Sequence, residues 1–455
     1  MFKMSIKRLI YLISALFLIL AAVTVKTVID KDSFMSSSYN KRLAASSDDV
    51  KRGNIEDANG TILAQSVLTD DGYKRIYSYP EYVSNITGYT AGGKSGAEST
   101  YNHYLEKAEN ELWQRIKSVV FKDEIECNSV VLTIDTDLQE TAFKALNGNK
   151  GSVVVMDADT GKIKAMISSP SYNSNTIAED WSALNEREDA PLLNRAAQGL
   201  YPPGSTFKII TLLSAMRNCP EALDEEYECT GTERFKDKTI RCFNETAHGK
   251  LNAEKAFALS CNCYFANLGK KIGSADLRKT AEELCFNSGI GFDFSYSVSR
   301  MEIESFSTES ELIETSIGQG KTLVTPLNMA MITAAAVNDG VMMKPYILDC
   351  IKNPKDEKEN ITLPQILLEA MTESESQTIR DYMLETVESG TGKAAAIAGK
   401  AIGGKTGTAE NPEGSDHLWF TGYCGNTVVT VVLENPDGSI KATEAARRIF
   451  EKITE

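Results

Sequence analysis

In the second half of the chain, hydrophobic residues are spaced as in strands at both ends of the region and as in helices between those ends. Short apolar runs bounded by turn residues predict a hairpin over 151–168 and further strands at 404–409, 418–424 and 427–434. Helical spacing dominates over 205–336. Strands from both ends of this region, with helices between them, indicate an α+β fold in which one antiparallel sheet packs on helices.

The first half has shorter and more polar patterns. Residues 52–64 predict a hairpin, because the pair Asn59-Gly60 favours the tight turns that join two strands. An amphipathic helix is expected near 103–120, and a further helix over 135–146 leads into the second half. This region is too small and too polar for a rich core of its own, and we interpret it as a pedestal domain.

The N-terminus carries a membrane signal. The run from Leu9 to Val25 has no charged residue and follows three basic ones. Such a run is long enough for a short membrane span, and the basic flank favours a cytoplasmic N-terminus. We expect an uncleaved anchor, with a signal peptide cleaved near Ala21-Ala22-Val23 as the alternative. The expected organisation is a cytoplasmic tail (1–8), a transmembrane anchor (9–26), a mixed pedestal (27–146) and a larger extracellular domain (147–455).

Net charge and the histidine and cysteine content argue against some classes of partner and cofactor. The formal net charge of −15 argues against a nucleic-acid partner, since phosphate binding needs clustered positive charge. The chain has three histidines and no Cys/His array with zinc spacing, so we expect no metal and no cofactor. Among the nine cysteines, Cys229 and Cys242 flank a turn-rich stretch and are candidates for a disulfide. Cys261 and Cys263 are interpreted as small packing residues.

One short motif carries candidate chemistry. Ser205 follows Pro202-Pro203-Gly204 and precedes a strongly apolar helical run. At the start of a helix, free backbone N–H groups favour developing negative charge. Lys208 lies on the same face one turn later, and a partly buried lysine can serve as the base for a serine nucleophile. The alternative is a plain N-cap serine beside a surface lysine.

Two further motifs follow in order. Ser260-Cys261-Asn262 lies about 55 residues after Ser205, and Lys405-Thr406-Gly407-Thr408 lies on a predicted strand about 200 residues after it. Taken singly, the first could be a helix cap and the second a strand end with a turn. The ordered set Ser-x-x-Lys, Ser-x-Asn and Lys-Thr-Gly resembles the penicillin-binding proteins and serine β-lactamases.

Further stretches extend the resemblance over about residues 52 to 425. They are Tyr201–Lys208, Gly318-Gln319-Gly320, Thr325-Pro326, Thr391-Gly392, Trp419-Phe420-Thr421-Gly422, the hairpin of Cys229 and Cys242 with His248-Gly249 after it, and Arg52–Ala64. The segment before Gly151 is too short for the glycosyltransferase module of class A members. The chain therefore resembles the smaller class B, monofunctional penicillin-binding proteins of Gram-positive bacteria.

The resemblance implies a serine D,D-transpeptidase that cross-links peptidoglycan stem peptides ending in D-Ala-D-Ala and that β-lactams acylate. Ser205 would be the nucleophile, Lys208 its base, Ser260 a proton relay and Asn262 an orienting group. Lys405, Thr406, Gly407 and Thr408 would bind the substrate along an edge strand, and the backbone N–H groups of Ser205 and Thr408 would form the oxyanion hole.

The same resemblance implies a place in the cell. The catalytic domain would lie outside the cytoplasmic membrane, with a membrane glycosyltransferase of wall synthesis as a partner. Three alternatives remain: a D,D-carboxypeptidase, a β-lactamase of the same superfold, and a scaffold that assembles wall-synthesis proteins. The pedestal and the uncleaved anchor argue against a β-lactamase, and the presence of both Ser205 and Lys208 argues against an inactive scaffold.

Overall fold

The computed structural model describes residue 11 and residues 13–21, 51–70, 72–106, 126–411 and 414–455. Residues 13–21 are helical, and none of the helices in the described part is long and apolar enough to cross a membrane. Part of the predicted anchor, 9–26, lies outside the described residues, as does most of the helix predicted near 103–120.

The strands run through most of the chain. They are β1 (Ile55–Glu56), β2 (Ile62–Thr69), β3 (Gly72–Tyr77), β4 (Ser129–Leu132), β5 (Gly151–Asp157), β6 (Ile163–Ser169), β7 (Tyr227–Cys229), β8 (Thr232–Arg234), β9 (Thr239–Arg241), β10 (Gly249–Leu251), β11 (Val341–Met343), β12 (Leu348–Lys352), β13 (Lys358–Glu359), β14 (Ile366–Glu369), β15 (Ile402–Ala409), β16 (His417–Cys424) and β17 (Thr427–Leu433).

The helices concentrate between β6 and β15. They are α1 (Pro80–Thr87), α2 (Gly96–Thr100), α3 (Asn102–Leu105), α4 (Thr136–Ala145), α5 (Ile177–Glu186), α6 (Lys208–Asn218), α7 (Ala253–Ala258), α8 (Asn262–Ile272), α9 (Ser274–Glu283), α10 (Glu309–Ser316), α11 (Pro326–Val337), α12 (Glu373–Glu388) and α13 (Ala442–Thr454). Short 3₁₀ turns lie at Gly204–Phe207, Pro220–Leu223, Phe243–Glu245 and Lys393–Ala395.

A five-stranded sheet joins the two ends of the second half of the chain. Its order is β15-β16-β17-β5-β6, and every neighbouring pair is antiparallel. The predicted antiparallel sheet built from distant segments is therefore confirmed. β15 lies at one edge of this sheet, which leaves one of its sides free to pair with an extended ligand.

This sheet is buried on both faces. Along β5, Val154 and Met156 pack in one hydrophobic cluster with α11, and Val153 and Val155 pack in a second with α13. Because successive strand side chains point to opposite faces, a strand covered on both sides needs an unbroken apolar run. That requirement explains the valine-rich runs of β5 and β17, in which Thr430 alone separates the valines of β17.

The second sheet draws on both halves of the chain. Its order is β13-β12-β4-β1-β2-β3, with β1 and β4 parallel and the other pairs antiparallel. β1 and β2 form the predicted hairpin, and Gly60 at its turn has a φ of 86°, which a glycine adopts without steric cost. The mixed character expected of the N-terminal region is confirmed, but two of its strands come from far along the chain.

The two regions meet at α4. Its residues Leu138, Ala142 and Ala145 pack in the same cluster as α13 and the five-stranded sheet. At its N-terminus, Asp135 caps the helix by accepting a hydrogen bond from the Leu138 N–H at 3.0 Å. The helix predicted over 135–146 is confirmed, and it belongs to the core of the second half.

Candidate active site

Ser205 lies in the 3₁₀ turn Gly204–Phe207, which leads directly into the buried helix α6. Gly204 has a φ of 52°, and a Cβ added there would lie 2.4 Å from the Thr408 carbonyl oxygen. Only glycine suits both the left-handed backbone and this close approach. The sequence Pro-Pro-Gly-Ser therefore presses the turn of Ser205 against strand β15.

Neighbouring elements hold this turn in place. The Trp419 indole Nε1 donates a hydrogen bond to the Pro202 carbonyl at 3.0 Å, and the Gly204 N–H donates to the Gly318 carbonyl at 2.9 Å. Trp419 belongs to β16 and Gly318 to the loop after α10. The half-buried Ser205 is thus fixed against both the sheet and the helical region.

Lys208, one turn after Ser205, is fully buried. Its ammonium nitrogen donates to the Ser260 carbonyl at 2.8 Å, the Ser260 hydroxyl at 3.2 Å and Asn262 Oδ1 at 2.7 Å. It also lies 5.4 Å from the centre of the Phe265 ring. Burial lowers the pKa of Lys208 to about 8, because an apolar environment disfavours the charged form.

Ser260 lies in the short link between α7 and α8. Its φ is 57°, a left-handed conformation that costs a non-glycine residue free energy and is often found at functional sites. This conformation turns its hydroxyl and its carbonyl oxygen toward Lys208. Asn262 begins α8, and its Nδ2 donates to the Arg241 carbonyl at 2.9 Å, which ties the link to β9.

Lys405 enters from the opposite side, on β15. It is also fully buried, and its ammonium donates to the Ser260 hydroxyl at 3.0 Å and to the Thr406 carbonyl at 3.1 Å. Burial lowers its pKa well below the ordinary value, and repulsion from Lys208 lowers it further. Ser260 therefore bridges two buried lysines from different elements.

The remaining residues of the Lys-Thr-Gly segment face the cleft. The Thr406 hydroxyl lies 2.6 Å from that of Thr391, a residue of the loop after α12. A Cβ at Gly407 would lie 2.9 Å from the Pro203 carbonyl oxygen, so glycine permits the contact between β15 and the Ser205 turn. Thr408 is exposed at the cleft.

A cleft of about 550 Å³ runs beside β15. Its lining includes Ser205, Ser260, Asn262, Thr406, Gly407 and Thr408. Lys208 and Lys405 lie behind this surface, since both are fully buried. All eight sequence-predicted site residues are therefore brought to one place, six on the cleft wall and two beneath it.

The structure also places close together four residues that the sequence motifs did not connect with one another. The ligand atoms of Cys229, Cys242, His248 and Cys261 all lie within 4.8 Å of one another. The Sγ atoms of Cys229 and Cys242 are 3.7 Å apart, whereas a disulfide bond measures about 2.05 Å. The disulfide considered for this pair is not formed, and distant segments bring together a Cys/His cluster that the spacing along the sequence did not indicate.

Comparisons with known proteins agree with this geometry. The family described as "Penicillin binding protein transpeptidase domain" matches residues 151–455, and the "Penicillin binding protein A dimerisation domain" matches residues 52–130. A peptidoglycan D,D-transpeptidase PbpA of Mycolicibacterium smegmatis is 30% identical, over 94% of this chain and 93% of that protein. The protein of the same name from Mycobacterium tuberculosis is 28% identical, over 97% and 96%.

Solved structures are similar over most of the chain. The D,D-transpeptidase domain of a peptidoglycan glycosyltransferase from Eggerthella lenta has 33% identity and a TM-score of 0.80, covering 89% of this chain and 98% of that one. The imipenem acyl-enzyme complex of penicillin-binding protein A from Mycobacterium tuberculosis has 27% identity and a TM-score of 0.82, covering 90% and 100%. The resemblance drawn from the motifs is confirmed, and the chain belongs to the penicillin-binding protein transpeptidase family, in its class B branch.

Proposed function

We propose that this protein is a peptidoglycan D,D-transpeptidase that works through an acyl-enzyme on Ser205 and that β-lactams acylate at the same oxygen. The observation that carries the proposal is the hydrogen-bonded bridge from Lys208 through Ser260 to Lys405, directly behind the cleft that Ser205 lines. Family membership supports the reaction class, and the geometry supports the assignment of roles to individual residues.

The two hydrogen bonds to Ser260 Oγ favour one neutral lysine, and we assign the neutral form to Lys208 because it follows Ser205 by one helical turn. A lysine ammonium only donates hydrogen bonds, and Ser260 Oγ receives one from each lysine. Two buried ammonium groups that share one oxygen repel each other, so the pair favours the loss of a proton. A neutral Lys208 accepts the Ser205 proton as Ser205 Oγ bonds to the carbonyl carbon of the penultimate D-Ala.

The second half of acylation needs an acid. The tetrahedral intermediate collapses by breaking the bond to the terminal D-Ala nitrogen, which must gain a proton. Ser260 lies on the cleft wall with its hydroxyl 3.2 Å from the Lys208 ammonium. It passes the proton from Lys208 to the leaving amine, and Asn262 keeps Lys208 in line.

Strand β15 supplies the substrate site. An extended peptide pairs with the free edge of β15, the general mode in which strand addition binds a peptide. Thr406 and the positive potential of Lys405 bind the terminal carboxylate, and Gly407 allows the close approach of the strand to the nucleophile turn. The N–H groups of Ser205 and Thr408 stabilise the oxyanion, with about 3–4 kcal/mol expected for each donor.

Deacylation distinguishes the proposed enzyme from its alternatives. An amine of a neighbouring stem peptide attacks the acyl carbonyl carbon, the ester bond to Ser205 Oγ breaks, and the amine's proton passes to that oxygen as the cross-link forms. In a D,D-carboxypeptidase or a β-lactamase, water would attack instead. We favour the transpeptidase because the family match covers the N-terminal module as well as the catalytic one.

We further propose the cellular arrangement. Residues 9–26 anchor the chain in the cell membrane, residues 1–8 stay in the cytoplasm, and the pedestal (27–146) and the transpeptidase domain (147–455) lie outside. The uncharged run after a basic flank supports the anchor. A glycosyltransferase of wall synthesis in the same membrane would supply the glycan strands whose peptides this enzyme joins.

The test is the intact mass of the full chain in detergent before and after benzylpenicillin. We expect a stable one-to-one adduct on the wild type and none on Ser205→Ala. Thr206→Val is a matched neighbour that lies outside the proposed roles and keeps the adduct. An adduct that clears within seconds would indicate a β-lactamase, and no adduct on a folded wild-type chain would contradict acylation at Ser205.

A further inference from the structure

A buried ion pair lies beside the segment that leads into Ser205, and neither of its members belongs to the three catalytic motifs. Arg195 donates from Nε to Glu434 Oε2 at 2.8 Å, and the Tyr201 hydroxyl donates to the same oxygen at 3.3 Å. The side chain of Arg195 is 2% exposed and that of Glu434 is 20% exposed. We call Arg195, Glu434 and Tyr201 the Tyr201 network.

Arg195 is held at all three nitrogen atoms of its guanidinium group. Besides the bond from Nε to Glu434, it donates from Nη1 to the Ala190 carbonyl at 2.9 Å and from Nη2 to the Asp189 carbonyl. Its backbone N–H donates to the hydroxyl of Ser168, a residue of β6, at 2.9 Å. A charge buried this deeply needs satisfied donors and a counter-charge, and Glu434 supplies the counter-charge.

Glu434 takes its own position from the five-stranded sheet. It follows the last residue of β17, and its backbone N–H donates to the carbonyl of Lys150, just before β5, at 2.8 Å. Its second carboxylate oxygen, Oε1, lies 3.8 Å from Lys150 Nζ. The carboxylate that accepts the Tyr201 hydrogen bond is therefore attached to the sheet that carries β15.

The ring of Tyr201 is held by aromatic neighbours on β16 as well as by its hydroxyl. It packs at near right angles to His417 and Trp419, with ring centres 5.5 Å and 6.2 Å away. The backbone of Tyr201 exchanges two hydrogen bonds with that of Val324, at 3.1 Å and 2.8 Å. Burial raises the pKa of the Tyr201 hydroxyl and the Glu434 charge raises it further, so the hydroxyl remains a hydrogen-bond donor.

A short and stiff segment couples Tyr201 to the nucleophile. Only two prolines and Gly204 separate Tyr201 from Ser205, and the ring of each proline fixes φ at about −65°. A displacement of Tyr201 is therefore passed on to the turn of Ser205 instead of being absorbed by the backbone between them. Placement matters because a shift of about 1 Å at a reacting group can cost about 100-fold in rate.

We propose that Tyr201 and Glu434 are positioning residues for acylation. The ion pair with Arg195 fixes Glu434, Glu434 fixes the Tyr201 hydroxyl, and Tyr201 sets where Ser205 lies against β15. Neither Tyr201 nor Glu434 is among the described residues that line the cleft, so both act through Ser205 and not on the substrate. This role rests on the proposed acylation of Ser205 and adds two residues that hold that serine in place.

Tyr201→Phe tests the role, because it removes the hydroxyl and keeps the ring. The full chain in detergent is mixed with benzylpenicillin by rapid quench, and the concentration dependence of the observed rate gives the dissociation constant and the acylation rate constant. We expect the acylation rate constant to fall about tenfold, less than the cost of a full 1 Å shift, and the dissociation constant to stay within about twofold of wild type. The cleft surface is unchanged, so only the chemical step slows.

Tyr423→Phe is the matched control. Tyr423 is 7% exposed, against 6% for Tyr201, and its hydroxyl donates to the Arg380 carbonyl at 3.1 Å. It lies at the opposite end of β16 from His417, so the same oxygen is lost from an equally buried hydrogen bond away from the Ser205 turn. Both constants should stay near those of wild type.

A second background isolates the hydrogen bond between Tyr201 and Glu434. Arg195→Met combined with Glu434→Leu replaces the ion pair with apolar side chains of similar size, an exchange that folded proteins often tolerate. The Tyr201 hydroxyl has then lost its acceptor, so adding Tyr201→Phe should leave the acylation rate constant of this background unchanged. A further fall of about tenfold would show that the hydroxyl acts without Glu434, and would overturn the network.

Two kinetic results would contradict the role of Tyr201 directly. An acylation rate constant in Tyr201→Phe equal to that of wild type would overturn positioning. A raised dissociation constant with an unchanged rate constant would assign Tyr201 to substrate binding instead.

Hydrogen–deuterium exchange gives a reading that does not need acylation. The Gly204 N–H, which donates to the Gly318 carbonyl, should exchange severalfold faster in Tyr201→Phe than in wild type or Tyr423→Phe. Faster exchange in a chain whose wild type forms no adduct would keep the role of Tyr201 in placing the turn and remove only the proposed function. Equal exchange in all three chains would overturn the positioning role, whatever the wild type does with benzylpenicillin.

Discussion

Two groups of buried charged side chains, one in the N-terminal region and one behind the cleft, have different surroundings. In the N-terminal region Glu98 is fully buried between Arg52 at 2.7 Å and Arg75 at 2.6 Å. Behind the cleft, Lys208 and Lys405 are equally buried, but among the described residues neither forms an ion pair with a carboxylate. The first place neutralises its charges, and the second leaves them uncompensated.

The consequences for protonation are opposite. Burial alone would raise the pKa of Glu98, but Arg75 and Arg52 outweigh it and hold the pKa below its ordinary value. Burial lowers the pKa of Lys208 to about 8, and no carboxylate restores it. Paired charges keep their ionised forms and stabilise the fold, whereas an unpaired buried lysine becomes able to exchange a proton near neutral pH.

The largest effect is expected from Lys208→Met, which replaces the unpaired cation with a side chain of similar length. Acylation by benzylpenicillin should slow about a thousandfold, since a positioned general base contributes roughly 10²–10⁴ to a rate. The midpoint of unfolding in denaturant should move little, because the removed charge was costly to bury. A variant that acylates at the wild-type rate would take Lys208 out of the proton path.

Glu98→Gln should give the reverse pattern. It leaves two buried guanidinium groups without their shared anion, and losing one partner of a buried pair costs about 3–5 kcal/mol of unfolding free energy. The acylation rate of the folded variant should stay near that of the wild type. Equal stability of Glu98→Gln and wild type at pH 7 would contradict the comparison.

The lowered pKa of Glu98 determines how the stability difference between wild type and Glu98→Gln depends on pH. A carboxyl group with a lowered pKa stabilises the fold above its unfolded-state pKa and loses that contribution as pH falls through its folded-state pKa. The difference between wild type and Glu98→Gln should therefore be full at neutral pH and shrink in acid. Denaturant titrations at several pH values measure it.

The pH dependence of acylation provides the next, smaller effect. In the proposed role Lys208 acts when it is neutral, so the rate should rise with pH through about 8 and fall roughly tenfold for each pH unit below. Stopped-flow measurement of acylation between pH 6 and about 9 tests this. A rate that stays flat across that range would show that proton transfer from Ser205 does not depend on a lysine of this pKa.

The smallest effect is expected for Lys94, which lies at the more exposed edge of the ion pairs around Glu98. Lys94 lies 2.8 Å from Glu106 and keeps 17% of its side chain exposed. Because solvent screens a partly exposed pair, Lys94→Met should cost only about 0.5–1 kcal/mol and leave acylation unchanged. A loss as large as that of Glu98→Gln would mean that the whole network, and not Glu98 alone, carries the stability.

Local pattern was sufficient to predict much of the fold and the motif positions. The apolar run after Ser205 predicted a buried helix, and the pattern around Lys405 predicted a strand, which the family resemblance placed at an edge; the structure has both. Such features depend on periodicity within a few residues. The assignment of catalytic roles to those residues stays a prediction until acylation is measured.

What sequence did not predict depends on contacts between distant segments. Cys261 was interpreted as a packing residue, because nothing near it in sequence indicates that Cys229 and His248 lie beside it. Similarly, no periodicity links Arg52 with Glu98. Both arrangements depend on loops whose course is set by the completed fold.

The pairing of β4 with β12 bears on how the enzyme is made. A ribosome releases the chain from its N-terminus, so β1 to β4 emerge well before β12, and one side of β4 lacks its partner throughout that interval. The N-terminal sheet can be completed only after most of the cleft-forming chain exists. A product truncated before residue 348 would therefore keep an open sheet edge at β4, a site for aggregation or proteolysis.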